Sequence, residues 1–301
     1  MDWAIITDAV AAVLFAAIPL HLVWLLFRRE RRPVGPGLVL LTALGLVLWT
    51  ISLYAWFVEP RLLKVRIQPV ILGQEGHGLR LAVVSDLHLG GFRDAVWLDR
   101  VVDRLNSLEA DAVIILGDVV ERESGMRMLE PLRRLESGQG AYAVLGRSDY
   151  ETGAVTVRRS IESYGVEVLT NEPVFLSADD RQLRLIGIDD IYHGDPDWIA
   201  AFADGPPADI TVLAAHNPGA APVGEIRDVD LAVCGYTHGG QLHLPFLGPF
   251  HVPASAIGPG FYRGLYEFGP MSLFITTGAG EDRLRGRLLV PPEVVLLDIS
   301  W

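Results

Sequence analysis

Cysteine is almost absent from this sequence. The 301 residues include one cysteine, Cys234, which can form no intrachain disulfide, so a disulfide-stapled scaffold is excluded while the compartment stays open. The apolar setting of this residue, LAVCGY, indicates a buried strand position. Internal repeats and low-complexity segments are also lacking, and the length allows one large domain or two small ones.

An excess of basic residues is lacking as well. The chain carries 25 Lys and Arg against 37 Asp and Glu, which gives a net charge of -12. The first 66 residues hold seven basic and four acidic residues, so the acidic excess lies in the remainder. Because like charges repel, this balance argues against nucleic acid as a partner.

Long apolar runs are present, and both lie near the N-terminus. Residues 9–27 and 35–57 are uncharged and apolar, and a helix of about 20 such residues crosses a bilayer core. No basic segment precedes the first run and no small-residue cleavage site follows Phe27, which argues against a signal peptide. The sequence therefore predicts a membrane anchor of two transmembrane helices in residues 1–60, followed by one domain in residues 61–301.

Basic residues flank the second apolar run. The positive-inside rule places the larger cluster in the cytoplasm, which puts both termini and the domain on the other side. We therefore expect a cell-membrane protein with an extracytoplasmic domain. The clusters are Arg28, Arg29, Arg31 and Arg32 between the runs, and Arg61, Lys64 and Arg66 after them.

Short apolar runs alternate with amphipathic stretches from about residue 63. This pattern predicts an α/β fold, a sandwich of buried strands with helices outside. The predicted strands are 79–85, 111–116, 141–145, 183–188, 209–215, 230–234, 272–276 and 293–299. The predicted helices lie near 94–107, 126–137, 153–164 and 196–203.

Polar side chains follow five of the predicted strands. Ligands bind at the carboxyl ends of strands in open α/β sheets, so we expect these side chains to share one site. They are Asp86 and His88, then Asp118, then Arg147, Ser148 and Asp149, then His216 and Asn217, and finally Thr237 and His238.

The types of these residues indicate a metal site. Carboxylates and neutral imidazoles without thiolates suit a divalent ion such as Mn, Fe, Zn or Mg. Asp86 and His88 fall on one side of an extended segment, because side chains alternate with a period of two. Asp118 follows a glycine that permits close backbone approach, which suits a bridge between two ions, and His238 can complete the first site.

The order of the motifs resembles the calcineurin-like metallophosphoesterases, most closely their membrane-anchored bacterial branch. The resemblance covers residues 63–301 and implies a two-sheet β-sandwich flanked by helices. It also implies two metal ions that activate water for in-line attack on phosphorus. The motifs are SDLHLGG (85–91), LGDVVE (116–121), YAVLGRSDY (142–150), GIDD (187–190), LAAHNPG (213–219), THGGQLHLPF (237–246) and RLLVPPEVVLLDI (287–299).

The resemblance assigns the metal ligands residue by residue. Asp86, His88, Asp118 and His238 match the ligands of the first metal. The second metal keeps Asp118 as a bridge together with His216. The family's remaining Asn and His ligands are replaced here by Arg147 and Tyr236, and Ser148 stands where the family has a His that assists the leaving group. An intact site beside a rebuilt one is therefore expected.

Three interpretations of the rebuilt site follow. In the first, a phosphoesterase works with one firmly held metal while Arg147 clamps a phosphate oxygen and Tyr236 donates a hydrogen bond or a proton. In the second, the domain is a phosphate-ester binding or regulatory module with little turnover. In the third, substitute ligands such as Asp149 or His243 hold a second ion.

Further roles are predicted for residues around the site. Arg147, Ser148 and Tyr236 are the expected catalytic residues, and Asn217 and Gly239 join Arg147 in contacting the substrate. The membrane anchor favours a lipid-linked phosphomonoester, phosphodiester or pyrophosphate as that substrate.

Two segments follow the last predicted ligand. Three alternatives are kept for the first, and a structural role without substrate contact is predicted for the second. The Pro/Gly-rich loop 245–263 is expected to form an apolar wall for an acyl chain, to enter the membrane surface, or to pack in the core. The charged segment 281–287 (EDRLRGR) is predicted to be a surface turn. We also expect His77, His193 and His251 to be surface or loop residues.

Overall fold

The N-terminal part of the described chain is an apolar helix. The computed structural model describes residues 13, 15–22, 24–25, 35–73, 78–203, 205–253, 255–282 and 285–301. Helix α1 (Pro36–Leu53) continues through a π-helical turn, Tyr54–Val58, and a 3-10 turn, Glu59–Arg61. The combined 26 residues form the one described helix long and apolar enough to cross a membrane, which indicates membrane association.

The first apolar run, 9–27, lies partly outside the described residues. Residues 15–22 within it are helical, and the Phe15 ring contacts the rings of Trp56 and Phe57 at centroid distances of 6.1 and 5.5 Å. The predicted two-span hairpin is therefore not confirmed, whereas one apolar helix is.

The strands and the remaining helices follow α1 along the chain. The described strands are β1 (Lys64–Ile71), β2 (Gly78–Val84), β3 (Ala112–Leu116), β4 (Ala141–Val144), β5 (Glu167–Val168), β6 (Glu172–Ala178), β7 (Arg181–Gly187), β8 (Ile210–Ala215), β9 (Leu231–Cys234), β10 (His243–Leu244), β11 (Gly248–Pro249), β12 (Gly264–Phe268), β13 (Met271–Ile275) and β14 (Glu293–Ser300). The helices are α2 (Ala95–Asn106), α3 (Arg147–Glu162), α4 (Trp198–Ala201) and α5 (Ala221–Ile226).

Two six-stranded mixed sheets form the body of the fold. The first has the order β1-β14-β2-β3-β4-β5, in which β2 to β5 run parallel and β14 runs antiparallel to β2. The second has the order β12-β13-β9-β8-β7-β6, parallel from β13 to β7 and antiparallel at both edges. The predicted two-sheet α/β sandwich is confirmed.

The core lies between the two sheets and on their outer faces. Leu81 and Val83 of β2 pack in the cluster that also holds Phe274 of the second sheet. Their neighbours Ala82 and Val84 face the cluster that contains α2 and α3. Successive strand side chains point to opposite faces, so a strand buried on both faces is apolar throughout. This is why β2 reads as an uninterrupted apolar run.

The helical predictions were accurate for one segment and wrong in detail for the others. The predicted helix 94–107 is α2, whose N-terminal N–H of Trp97 is capped by the Asp94 side chain at 2.9 Å. The predicted helix 126–137 is instead two short 3-10 helices, Glu123–Met128 and Glu130–Arg134, since Pro131 cannot continue an α-helix.

The last two predicted helices differ in length. Helix α3 begins at Arg147, well before the predicted 153, and Gly153 with φ of 119° interrupts its regular geometry. Only four residues of the predicted helix 196–203 are helical. The capping side chain of Asp197 accepts the N–H of Ile199 and Ala200, which starts this turn.

The end of the apolar helix is docked on the domain. The N–H of Arg287 donates to the carbonyl of Ala55 at 2.8 Å, and the N–H of Val290 donates to Glu59 Oε1 at 2.6 Å. The Glu59 side chain is buried although it follows an apolar span. Segment 286–290 therefore fixes the junction between the helix and the sandwich.

Candidate metal centre

Four of the five buried candidate ligands leave the strand ends in a left-handed backbone conformation. Asp86, His88, Asp118 and His238 have φ values of 55°, 47°, 50° and 49°, a region that non-glycine residues seldom occupy. The segment of Asp86 and His88 is therefore not extended, and the alternation argument for it was wrong. Tight turns at the strand ends bring these side chains together, and such strain is typical of functional sites.

The first ligand group consists of Asp86, His88 and His238. His88 Nε2 lies 3.2 Å from His238 Nε2 and 4.0 Å from Asp86 Oδ1. His238 Nε2 lies 3.4 Å from Asp86 Oδ1. Two atoms that each lie about 2.1 Å from one ion are about 3–3.5 Å apart when they are neighbouring ligands and at most about 4.2 Å apart, so all three distances are within reach of a shared ion.

The second ligand group consists of Asp86, Asp118 and His216, which are all buried. Asp118 Oδ2 lies 3.4 Å from His216 Nε2 and 3.6 Å from His88 Nε2. The carboxylate thus stands between a ligand of each group, where the sequence predicted a bridge. Asp118 was predicted as the shared ligand, and in the structure Asp86 belongs to both groups.

Neighbouring groups orient two of the imidazoles. His88 Nδ1 lies 2.7 Å from Glu121 Oε2, and His216 Nδ1 lies 2.7 Å from the carbonyl of Leu116. Each acceptor selects the tautomer with a proton on Nδ1, which leaves Nε2 with a lone pair. Since both Nε2 atoms point at Asp118, the two rings are prepared to bind metal.

Backbone N–H groups fix the two carboxylates. Tyr236 N donates to Asp86 Oδ2 at 3.1 Å, and Ser148 N donates to Asp118 Oδ1 at 2.7 Å. Among the described residues, the buried atoms Asp86 Oδ1 and His216 Nε2 have no hydrogen-bond partner. Buried polar atoms require partners, so the centre fits a divalent cation.

Burial and charge act against each other in the imidazoles. Burial lowers the pKa of His88, but the hydrogen bond to Glu121 and the charge of Asp118 outweigh it and raise that pKa to about 9. In His216, burial is likewise outweighed by Asp118, and the pKa rises to about 10. Burial and the positive charge of His88 together hold the pKa of His238 well below its usual value.

The carboxylates show the same competition. Burial raises the pKa of Asp86. In Asp118, burial is outweighed by the imidazoles of His216 and His88, so the pKa lies well below its usual range. In the metal-free centre, the negative charge of the carboxylates is therefore compensated by protonated imidazoles. A bound cation would replace these protons.

Two glycines allow the close approach of these side chains. A Cβ on Gly235 would lie 1.8 Å from Ser85 Oγ and 2.7 Å from Asp86 Oδ2. A Cβ on Gly146 would lie 2.5 Å from Asp118 Oδ1. Any side chain at either position would displace a carboxylate ligand.

A cavity of about 430 Å³ lies over the ligands. Its wall includes Asp118, His238, Arg147 and Tyr236, so both predicted replacement residues face the space beside the ligands. Arg147 Nη2 lies 3.0 Å from Asp282 Oδ2. The guanidinium is thus anchored at one edge of the cavity.

The other predicted site residues lie in different places. The Ser148 hydroxyl is buried and makes no hydrogen bond to the described residues, while its backbone orients Asp118. In the described part of the chain, the cavity wall includes neither Asn217 nor Gly239. Asn217 Oδ1 accepts the N–H of Gly219, which caps a turn.

The proposed substitute ligands are engaged elsewhere. The Asp149 carboxylate accepts the N–H of Val119, Val120 and Gly146. His243 Nε2 lies 3.1 Å from the carbonyl of Gly239. Neither Asp149 nor His243 belongs to the two ligand groups found among the described residues.

Segment 281–287 is not the predicted surface turn, as its described residues show. Arg287 is fully buried, and its guanidinium donates to the carbonyls of Gly280, Thr277 and Val290. Its Nη2 also lies 3.5 Å from His238 Nδ1. The hydrogen bonds to carbonyl oxygens compensate for the burial of the guanidinium. This is why Arg287 lies in the interior although it belongs to a charged segment of the sequence.

Three further residues of the site were not identified from the sequence. Glu121 contacts His88, Asp282 contacts Arg147, and His251 lines the cavity from an exposed loop position of the kind predicted for it. Glu121 falls within the motif LGDVVE, yet only its contact across 33 residues shows its role.

The comparisons with known proteins agree with this geometry. Residues 79–243 match the family model described as the calcineurin-like phosphoesterase superfamily domain. The chain is 26% identical over 256 residues to an uncharacterized metallophosphoesterase, YkuE, of Bacillus subtilis, covering 82% of this chain and 89% of that one. It is 26% identical over 231 residues to phosphodiesterase YaeI of Escherichia coli, covering 73% and 82%.

A longer relative is named for its membrane span. The chain is 31% identical over 241 residues to a transmembrane protein with metallophosphoesterase domain of Bos taurus. The match covers 73% of this chain and 53% of the relative, so the chain spans about half of that protein. Phosphoesterases are hydrolases, and the assignment agrees with the enzyme class predicted from the motifs. The matched model covers more than half of the chain, which therefore belongs to the calcineurin-like phosphoesterase superfamily.

Proposed function

We propose that this protein hydrolyses a phosphoric ester by means of divalent metal ions held at the buried Asp and His ligands. The observation that carries the proposal is the convergence of two ligand groups, Asp86 with His88 and His238, and Asp86 with Asp118 and His216. Both groups meet beneath a cavity of a size suited to a small ligand.

The metal and the chain contribute different things. Divalent ions bound here would stabilise the charge of the phosphoryl group and make water a stronger nucleophile at neutral pH. Asp118, positioned by the N–H of Ser148, holds the ligands of the two groups in one arrangement. Since the ligands are buried and hydrogen-bonded, little reorganisation is needed during the reaction.

Arg147 is the residue that binds the phosphate in this proposal. Its guanidinium lines the cavity with Asp118, and Asp282 at 3.0 Å and Glu151 at 3.6 Å hold it from one side. Burial lowers the pKa of Arg147, but Asp282 and Asp118 outweigh burial and raise it, so the charge is permanent. A planar guanidinium with free donor positions suits a phosphate oxygen.

Tyr236 and His251 are two further polar residues of the cavity wall. Burial raises the pKa of the Tyr236 phenol, so it remains a protonated hydrogen-bond donor. The Ser148 hydroxyl is buried away from the wall, which makes it a poor substitute for an acid. Imidazole is the side chain most often used as a general acid, and His251 places one on the wall. We assign protonation of the leaving group to His251.

The substrate class follows from the surroundings of the cavity. Its apolar wall contains Leu242, Phe250 and Pro253, and the apolar helix α1 is docked on segment 286–290, which pairs with Leu242. A phosphomonoester, phosphodiester or pyrophosphate joined to a lipid fits both a polar floor and an apolar wall. The lipid linkage is the finer part of the proposal.

A second candidate function is a membrane-tethered module that binds or senses phosphate esters with little turnover. It is favoured by one observation, the closure of Arg147 onto Asp282 and Glu151 in place of a second-metal ligand. A guanidinium at this place binds an anion but adds no metal ligand.

The test is hydrolysis of bis(p-nitrophenyl) phosphate by the full chain in lipid nanodiscs, with and without Mn²⁺. We expect metal-dependent turnover that Asp118→Asn lowers by about a hundredfold or more, because the carboxylate holds both ligand groups. The matched control is Asp180→Asn, an exposed turn residue that leaves turnover unchanged.

The outcomes separate the two functions. Phosphate-ester binding without turnover under Mn²⁺, Zn²⁺, Fe²⁺ or Mg²⁺ supports the binding module and contradicts the enzyme. One bound ion per chain with turnover supports an Arg147-assisted site. Two bound ions in the wild type would show that a second ion binds without the family's Asn and His ligands, which Arg147 and Tyr236 replace.

A further inference from the structure

The hairpin of β10 and β11 presents apolar side chains to solvent. Its strands pair His243 with Pro249 and Leu244 with Gly248, which leaves residues 245–247 at the tip. Phe246 is fully exposed, Leu247 is 80% exposed and Phe250 is 68% exposed. Soluble surfaces seldom carry such a concentration of large apolar side chains, so this tip has a binding role.

The hairpin stands beside the end of the apolar helix. The N–H of His243 donates to the carbonyl of Leu288, and the same segment, 286–290, donates to Ala55 and Glu59 at the helix end. One short segment thus contacts the hairpin stem on one side and the helix on the other. The tip consists of the three residues beyond the stem, so it lies at most about 10 Å from the stem.

More exposed apolar residues surround this junction. Phe57 and Val58 at the helix end are 43% and 45% exposed, and Leu289 on the connecting segment is 52% exposed. Together with the hairpin tip they form one apolar collar, defined here as residues 57–58, 244–250 and 289. Phe57 and Val58 belong to the same 26-residue apolar helix as α1, so this part of the collar adjoins α1 directly.

Basic side chains lie at the edge of the collar. Arg61 Nη1 donates to the carbonyl of Phe57, and Arg263 Nη1 donates to the carbonyl of Leu289 at 3.3 Å. Both arginines are therefore held beside apolar collar residues on a domain whose overall charge is negative. An apolar tip bordered by arginine is the pattern that binds anionic lipid surfaces.

We propose that the collar enters the interface of an anionic bilayer beside α1, with Phe246 and Leu247 among the acyl chains and Arg61 and Arg263 at the headgroups. The proposal needs the membrane association of α1 and does not depend on hydrolysis. Phe250 belongs both to the collar and to the cavity wall, so the cavity over the metal ligands opens at the bilayer surface.

The test measures how deeply a fluorescent label on the full chain enters the bilayer. Phe246→Cys is labelled with an environment-sensitive fluorophore in nanodiscs that contain anionic lipids and doxyl-labelled lipids. Cys234 is completely buried and burial raises its thiol pKa, so it gives no background labelling. Leu44→Cys in α1 is the control for a label inside the bilayer.

A matched control reports a label in water. Ile199→Cys is 80% exposed, as Leu247 is, but it lies in α4, which packs against β6 at the opposite edge of the second sheet from β12. We expect quenching by doxyl lipids at position 246 to exceed that at position 199 about threefold or more. Removing the anionic lipids should lower quenching at 246 and leave it unchanged at 44.

Two results would overturn the proposal. Quenching at 44 with a label at 246 that behaves like the one at 199 would show that the collar stays in water and binds something other than lipid. Absence of quenching at both 44 and 246 would remove the membrane association of α1 as well as the collar. Neither result depends on whether the centre hydrolyses a phosphoric ester.

Discussion

Replacing Glu121 by Gln tests whether a carboxylate behind His88 sets the metal affinity of the centre. Glu121 Oε2 lies 2.7 Å from His88 Nδ1 and is the hydrogen-bond partner of that nitrogen. The ionised carboxylate selects the tautomer with a free Nε2 and makes that nitrogen a stronger ligand. A glutamine amide can still accept the N–H, but it carries no charge.

The structure sets the expected magnitude. Removing a partner of a metal-bound imidazole typically weakens metal binding by about 10–100-fold, or about 1.4–2.8 kcal/mol. The Glu121 side chain is 30% exposed, so water screens part of its charge. We therefore expect Glu121→Gln to weaken Mn²⁺ binding about tenfold, and Glu121→Leu, which removes the acceptor too, by up to about a hundredfold.

Isothermal titration of Mn²⁺ into the metal-free full chain in nanodiscs measures this effect. Glu123→Gln is the matched control, because it removes an acidic residue two positions away that is exposed to solvent. It should change affinity less than about twofold. The reasoning is refuted if Glu121→Gln binds Mn²⁺ as tightly as the wild type while His88→Ala abolishes binding.

Three further predictions concern the pH dependence of metal binding, the packing around Asp86 and the hydrogen bonds of Arg287. Because the pKa values of His88 and His216 are raised to about 9 and about 10, both imidazoles hold a proton at neutral pH in the metal-free protein. Mn²⁺ affinity should then increase with pH up to about 10, with proton release visible by titration in buffers of different ionisation enthalpy; an affinity that is flat between pH 7 and 9 would contradict this. Gly235→Ala should weaken Mn²⁺ binding and lower stability by about 1–3 kcal/mol, because the new Cβ meets Ser85 and Asp86, while Gly138→Ala, which meets only one atom at 3.9 Å, should do neither. Arg287→Lys should destabilise the domain by about 2–4 kcal/mol in thermal unfolding, because it leaves buried carbonyls without donors, and an unchanged Tm would show that the fork of hydrogen bonds is not needed.

Most of the central strands could be predicted from the sequence, and several edge strands could not. Strands buried on both faces are apolar throughout, so β2, β3 and β9 stand out as runs. Strand β1 is an edge strand with alternating exposed residues, and Pro69 within it is a residue that argues against a strand. Strand β6 is likewise an edge, and only its pairing with β7 identifies it.

The candidate ligands were predictable because each lies within four residues of the end of a strand. Parallel strands bring their carboxyl ends to one edge, so strand order alone places Asp86 near Asp118 and His216 near His238. The groups that orient them were not predictable in the same way. Glu121 contacts His88 across 33 residues and Arg287 approaches His238 across 49, and neither pairing leaves a local pattern.

The backbone geometry of the candidate ligands could not be predicted from sequence patterns either. Positive φ at Asp86, His88, Asp118 and His238 is rare for such residues, so propensity predicts against it. Tertiary contacts over-determine these turns, as shown by the N–H of His88, which donates to the carbonyl of Asp118 at 2.9 Å. The side chains predicted as ligands thus lie together in the fold, while the local conformation predicted for Asp86 and His88 was wrong.

The hydrogen bond between Glu59 and Val290 helps to hold the domain at a fixed position relative to the end of the apolar helix. A flexible linker would let the centre sample many heights above a bilayer, whereas the buried Glu59 contact and the bond from Arg287 to Ala55 remove that freedom. Arg287 lies directly behind His238, so the same short segment sets both the standing height of the domain and the position of a metal ligand. Under the proposed function, this fixed height would select substrates by depth, since a phosphate group too deep in the headgroups or too far into solvent would not reach the candidate ligands.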